Sequence, residues 1–345
     1  METTSRADAA RLEMNEAATA GRKLRPSGAG WRFAGCAILF LALAMATVLG
    51  AESQYVFFVG YVVLQFIVLA TGWNILGGYA GYVNFGSAGY FAVGAYTTVA
   101  LSQVAALPLP LYILAGAFMG GLLGLGVGAM SLRLRGIYFS IATLAIAIIL
   151  ETIVTNWSFV GGARGMALVP ASPPWPFGTY NQWLFFVMAV LVVLSSAVAR
   201  YIEISWIGRG LKALRDDEMA AECAGVPTLR LKLLAAAVSG ATMAVAGAPF
   251  AFYMSFIEPH SAFGLNYALA AIAMPIIGGM SHWIGPIIGA ILLACAQQFI
   301  SVKLSGEWNV LVTGLILMAF VIAAPSGVVG LFTRFSKSKA TGGQA

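Results

Sequence analysis

Residues 208–225 read GRGLKALRDDEMAAECAG, and the rest of the chain is read outward from them. Seven charged residues, Arg209, Lys212, Arg215, Asp216, Asp217, Glu218 and Glu222, crowd this stretch of a chain that is only 9% charged. It stands between apolar runs at about 182–200 and 232–254. Each run is long enough to cross a hydrocarbon core of roughly 30 Å. A charged island between two such runs is a loop joining two crossings of a helical membrane protein.

The pattern repeats in both directions. Further apolar runs fall at about 34–50, 56–76, 84–104, 110–131, 137–156, 267–280, 285–302 and 309–325. The chain is 60% hydrophobic with a mean hydropathy of +0.88, whereas soluble domains are about a quarter charged. The expected fold is an all-α integral membrane protein, a polytopic helical bundle of about ten transmembrane helices. Glycine-rich interruptions near 77–89 and 278–289 are expected to break helices, which leaves a count of nine to eleven.

Positive residues set the orientation, because cytoplasmic loops gather Lys and Arg. Six fall in the first 33 residues, and Arg133, Arg135, Arg200, Arg209, Lys212, Arg215, Arg230, Lys232, Arg334, Lys337 and Lys339 fall in alternate loops on the same side. Only Arg164 and Lys303 fall opposite, so the expected topology is N-in/C-in. Residues 1–33 then form a cytoplasmic tail with a short helix near 9–18, and 34–331 the transmembrane domain with a cytoplasmic segment at 201–231. Residues 332–345 form a short basic tail. The 33 mostly polar residues before the first run are unlike a cleavable signal peptide. The net charge of +6 reflects this one-sided distribution and carries no nucleic-acid signal.

Within the charged stretch, Ile207, Leu211, Leu214 and Ala221 share one helical face. The spacing predicts one short amphipathic helix, stopped by Gly225 and Pro227. Such a helix lies at the headgroup level or docks on another protein. The mixed signs favour docking, since a lipid-bound helix prefers a basic face.

Inside the expected spans, Glu151 is the ionisable group clearly embedded in an apolar run, towards the outer leaflet, where a charge is costly. The readings are contact with the amino group of an amino acid, pairing with a neighbouring subunit, or a protonated group at the interface. The stretch GYVNFGSAGY (81–90) offers Asn84 and Ser87 as caps of a half-helix whose amides would favour a carboxylate. With Tyr90 and Thr143 they complete the candidates for a polar path. Gly116, Gly120, Gly124 and Gly128 recur every fourth residue, as do Gly285 and Gly289, and read as helix-packing seams. His260 falls in an outer loop and His282 in an inner one, and Cys36, Cys223 and Cys295 are scattered, so no metal site is expected.

From 208 on, GRGLKALRDDEMAAECAGVPTLRLKLLAAAVSGATMAVAGA resembles the coupling segment and following helix of LivM-type permeases, from ATP-binding-cassette importers of branched-chain amino acids. GGYAGYVNFGSAGYFAVGAYTTVAL (77–101), RLRGIYFSIATLAIAIILETIV (133–154), VGGARGM (160–166) and IGGMSHWIGPIIGAILL (277–293) resemble further family segments, in order. The likeness covers about 60–330. It departs at Ser87, where the family often carries His, and at Arg164, where it carries Asp or Asn.

The resemblance implies a non-enzymatic transport subunit of the bacterial inner membrane, working by alternating access. Its partners would be two ATPase subunits using ATP and magnesium, a second, LivH-like permease, a periplasmic substrate-binding protein and membrane lipid. Gly208, Arg209, Leu211, Leu214, Arg215, Asp216, Glu218, Ala221 and Gly225 would couple to the ATPases. No G-x-x-x-x-G-K-[ST] loop occurs in the sequence, so this chain is expected to bind no cofactor. Branched-chain or other hydrophobic amino acids are the default cargo, with urea, short amides or aromatic acids as alternatives. An ion-coupled secondary transporter is the competing class, and one embedded carboxylate is thin support for it.

Overall fold

The computed structural model describes residues 28–50, 53–131, 134, 136–169, 173–303 and positions 311, 314–315, 318, 327–328 and 330. The expected helix near 9–18, Arg133, Arg135, most of the run at 309–325 and the basic tail at 332–345 lie outside the described residues. Two compact units emerge, 1–47 and 48–345. Helix α1 (Gly28–Gly50) begins before the expected boundary at residue 33, and all but its last three residues belong to the first unit.

In the second unit the apolar runs become α2 (Gln54–Gly77), α3 (Ser87–Val104), α4 (Leu109–Ser131), α5 (Ile137–Thr155) and α6 (Tyr180–Ile204). Short α7 (Trp206–Asp216) and α8 (Glu218–Cys223) follow, then α9 (Thr228–Gly247), α10 (Phe250–Met254), α11 (Pro259–Ala262), α12 (Leu265–Gly278) and α13 (Gly285–Lys303). Two-residue strands β1 (Met166–Ala167) and β2 (Phe256–Ile257) pair antiparallel, Met166 opposite Ile257. Among the described residues seven helices are long and apolar enough to cross a membrane, and Gly285–Ser301 adds a shorter apolar one. The chain is a multi-pass helical membrane protein.

Helix α2 is apolar all round, as a helix enclosed by others must be, and Leu69, Ala70, Ile75 and Val68 are fully buried. It packs on α6, α9, α12 and α13, while α9 also packs along α4 and α3. Small residues set these distances. A Cβ added at Gly120 would meet Gly240 O at 2.6 Å, and one at Gly116 would meet Ala248 Cβ at 3.2 Å. At Gly124 it would overlap Ala236 O, at Gly289 Met274 O, and at Gly285 Gly279 O. Gly128 is buried on the same helix as Gly116. Dispersion and close backbone approach, with no hydrophobic driving force inside lipid, hold such seams together.

Both interruptions named from the sequence are present. Residues 78–86 are non-helical between α2 and α3, and 279–284 turn tightly between α12 and α13. The loops divide between two ends. At the first lie 78–86, α7, α8 and 279–284, tied by Arg215 to Gly78, Ser140 to Val83 and Trp283 to Glu203. At the second lie β1, β2 and α11, with Glu151 beside His260.

Candidate functional site

The charged stretch forms two helices, not the single helix its spacing predicts. Asp217 is extended (φ −157°, ψ 113°), and its carboxylate accepts from Met219 N at 2.9 Å and Ala220 N at 3.1 Å, capping α8. A side chain that satisfies two orphan amides makes a new helix start cheaper than continuing the old one. Gly225 has φ 80°, the left-handed conformation glycine tolerates beyond a helix end, and Val226 N closes the turn on Ala221 O at 3.0 Å.

Leu211 and Leu214 are buried in a cluster with Ile75, Leu76, Tyr79, Tyr82, Phe139, Ile202 and Leu231. Two buried leucines contribute about 3–6 kcal/mol, so α7 is anchored on the bundle by its apolar face. Ala221 is buried as well, and Gly208 sits where a Cβ would overlap Ile202 O. Arg209, Asp216, Met219 and Glu222 stay exposed, which leaves a mixed-charge outer face.

The inner side of α7 and α8 is wired to the broken segment. Arg215 Nη1 donates to Gly78 O at 3.0 Å, and its stem lies over Gly81, where a Cβ would meet Arg215 Cγ at 2.7 Å. Arg215 Nε stands 3.6 Å from Asp216 Oδ1. Tyr82 OH donates to Glu218 Oε2 at 3.0 Å, while Lys232 Nζ bonds Glu218 Oε1 and lies 5.0 Å from the Tyr82 ring centroid. Burial above all, with help from Glu218 and against the opposing pull of Lys232, raises the Tyr82 pKa, so the phenol remains the donor. Lys232 is the more enclosed of the two ionisable groups: its side chain is 4% exposed, against 30% for Glu151.

A second node links the same helices to the α12–α13 turn. Glu203 Oε2 accepts from Trp283 N at 2.8 Å and lies 4.0 Å from His282 Nδ1, with Lys212 Nζ 3.8 Å from Oε1. The Arg200 guanidinium lies over the Trp283 ring at 5.8 Å.

Beyond the break, Asn84 Oδ1 accepts from Gly86 N at 2.8 Å, and the Asn84 carbonyl accepts from buried Trp73 Nε1 at 2.8 Å. Thr143 Oγ1 accepts from Phe85 N at 3.2 Å. Gly86 is the N-cap of α3, so Ser87 is its first helical residue and not a cap; its hydroxyl is buried without a partner among the described residues. Asn84, Ser87, Tyr90 and Thr143 are all buried around the start of α3. Glu151 is not with them: at the second end, its Oε1 lies 3.4 Å from Nδ1 of exposed His260. An open cleft of about 1070 Å³ at the first end is lined by Tyr82, Phe85, Ser140, Ile141, Arg215 and Met219, among others.

Sequence reasoning missed Tyr82, Glu203, Lys232 and Trp283. Lys232 alone left a signal, a lysine among leucines in RLKLL.

Residues 55–321 match the family model described as branched-chain amino acid transport system / permease component. The chain is 30% identical over 295 residues to the high-affinity branched-chain amino acid transport system permease protein LivM of Salmonella typhimurium, covering 76% of this chain and 67% of that protein. It is 23% identical over 287 residues to LivH of the same organism, covering 77% and 91%. It is 28% identical over 227 residues to the autoinducer 2 import system permease protein LsrC of Photorhabdus laumondii, covering 64% and 65%. No solved structure matches the chain.

Proposed function

The chain belongs to the permease-component family of branched-chain amino acid transport systems, and from that premise we propose that it is the transmembrane permease subunit of an ATP-driven importer. Its family is one of transport subunits, not of enzymes. It forms part of the path for branched-chain or other hydrophobic amino acids, which cross by alternating access. Separate ATPase subunits supply the energy, a LivH-like permease completes the membrane pair, and a periplasmic binding protein delivers the cargo. Similarity to LivM and LivH supports both the cargo class and the pairing.

The observation that carries the reading is the α7–α8 pair: anchored by Leu211 and Leu214, it turns a mixed-charge face outward at one end of the bundle. Complementary charge sets register at such a face. That end holds Arg200, Arg209, Lys212, Arg215 and Arg230, so it faces the cytoplasm, the topology is N-in/C-in with about ten crossings, and residues 1–33 and 332–345 are cytoplasmic tails. Within the docking face Arg209, Asp216 and Glu222 meet the ATPases. Asn84, Ser87, Tyr90 and Thr143 line the path, where a buried hydroxyl lacking a protein partner, such as that of Ser87, is suited to a polar solute. Helix termini and irregular backbone near such breaks are suited to charged cargo groups.

The test is gentle detergent extraction of the tagged protein from its own host, followed by mass spectrometry. ATPase subunits and a second permease are expected to co-purify, and reversing charge at Arg209, Asp216 and Glu222 together should release the ATPases. Recovery of a stable, active chain alone would refute the reading.

A further inference from the structure

Two helices of the docking face touch the irregular segment that leads into the proposed path, one through Arg215 and the other through Glu218. Arg215, on the last turn of α7, reaches the carbonyl of Gly78, where α2 ends. Its stem covers Gly81, where the absence of a Cβ leaves room for that contact. Glu218, the first residue of α8, takes the Tyr82 hydroxyl and is itself fixed by Lys232 of α9. Two residues further on, Asn84 organises Gly86, and Thr143 holds Phe85. Segment 78–86 therefore has covalent continuity with α2 and α3, and side-chain ties to the docking helices on one side and to α5 on the other.

Irregular backbone is the part of a helical bundle best able to change conformation, because its hydrogen bonds are not locked in a helical ladder. We propose that Arg215 and Glu218 are positioning residues that make α7–α8 and segment 78–86 move as one body, so that displacement of the docking face is delivered to the mouth of the path at Asn84, Ser87 and Thr143. The proposal rests on the importer reading above. A guanidinium held on a carbonyl and a carboxylate held between a phenol and an ammonium are charge-assisted ties, stronger and more directional than neutral bonds. Apolar packing of Leu214 alone would let the segment slide.

The decisive experiment replaces the natural tie with a covalent one. A Cβ at Gly81 would lie 3.5 Å from Cβ of Arg215, within the roughly 3.5–4.5 Å that a disulfide spans. The Gly81→Cys/Arg215→Cys variant is made with Cys36, Cys223 and Cys295 replaced by Ser, and the whole importer is reconstituted in liposomes. Solute moved per ATP hydrolysed is measured before and after reduction. The reduced form should transport about tenfold or more less per ATP than the parent, a typical size for a coupling term, and the oxidised form should recover it. Transport that stops on oxidation and returns on reduction would show that the two elements must move apart, which overturns the proposal.

Cysteine at the positive φ of Gly81 carries strain. Arg215→Met, which keeps the stem and loses the bond to Gly78, therefore decides the matter if both redox states are inactive. Its transport per ATP should also fall about tenfold, with partial rescue in Arg215→Lys. Unchanged transport per ATP in Arg215→Met refutes the tie. Failure of the unmutated chain to recruit an ATPase would instead remove the importer reading beneath it.

Discussion

Lys232 carries its charge inside the bundle, 4% exposed, against Glu218 and over the ring of Tyr82. Removing one partner of a buried pair strands the other, at a cost of about 3–5 kcal/mol. Lys232→Met should therefore lower the thermal unfolding midpoint in detergent sharply. Lys232→Met/Glu218→Gln should lose less than the single change, because no charge is left unpaired. Additive losses would mean the pair is not coupled. The sequence points to Arg215 and Glu218 as members of a charged stretch, but not to what they hold. Gly78 lies 137 positions from Arg215 and Tyr82 lies 136 from Glu218, and no local periodicity carries a contact of that span. Ser87 and Thr143 were legible as polar residues in apolar runs, and their burial follows from the fold. Glu151 was legible for the same reason, and so was its place towards the outer side, but not its neighbour His260. An apolar run fixes depth along a helix only coarsely, and it says nothing of which neighbour a side chain meets.

Helix α8 exists because Asp217 caps it, and the sequence conceals this: Asp216 and Asp217 stand side by side, and either offers a cap by type. Asp217→Ala should destabilise α8 by about 1 kcal/mol, read as faster hydrogen exchange at Met219 and Ala220, whereas Asp217→Asn should retain most of the protection. Equal protection in the alanine variant would show that packing of Ala221 alone holds the helix. The long helices were far more legible, since about 20 apolar residues leave a membrane segment little alternative to helix. Their seams can be tested at neighbouring turns. A Cβ at Gly120 would press on α9, whereas one at Gly126 would meet nothing within 4 Å. Gly120→Ala should cost about 1–3 kcal/mol by overpacking. Gly126→Ala should be neutral or stabilise by up to about 1 kcal/mol through helix propensity. If both changes behave alike, α4 does not pack on α9 along this ladder.

At the scale of the molecule, the bundle has a charged end holding α7, α8 and the α12–α13 turn, and an opposite end holding the paired strands and His260. From the bias of Lys and Arg we propose that the first faces the cytoplasm. Exposed Cys223 should accordingly react with an impermeant maleimide only in inside-out vesicles, and Arg164→Cys only in right-side-out ones. The reverse pattern would invert the topology and take the docking face away from any cytoplasmic ATPase. If the orientation holds, the most direct measurement is uptake of labelled leucine into proteoliposomes containing this chain, its LivH-like partner, the ATPases and the binding protein. Uptake should require hydrolysable ATP on the side of Cys223, should need the binding protein on the other, and should cease when the ATPases are catalytically disabled. Uptake by this chain alone, driven by a proton or sodium gradient without ATP, would contradict its assignment as the permease of an ATP-driven importer.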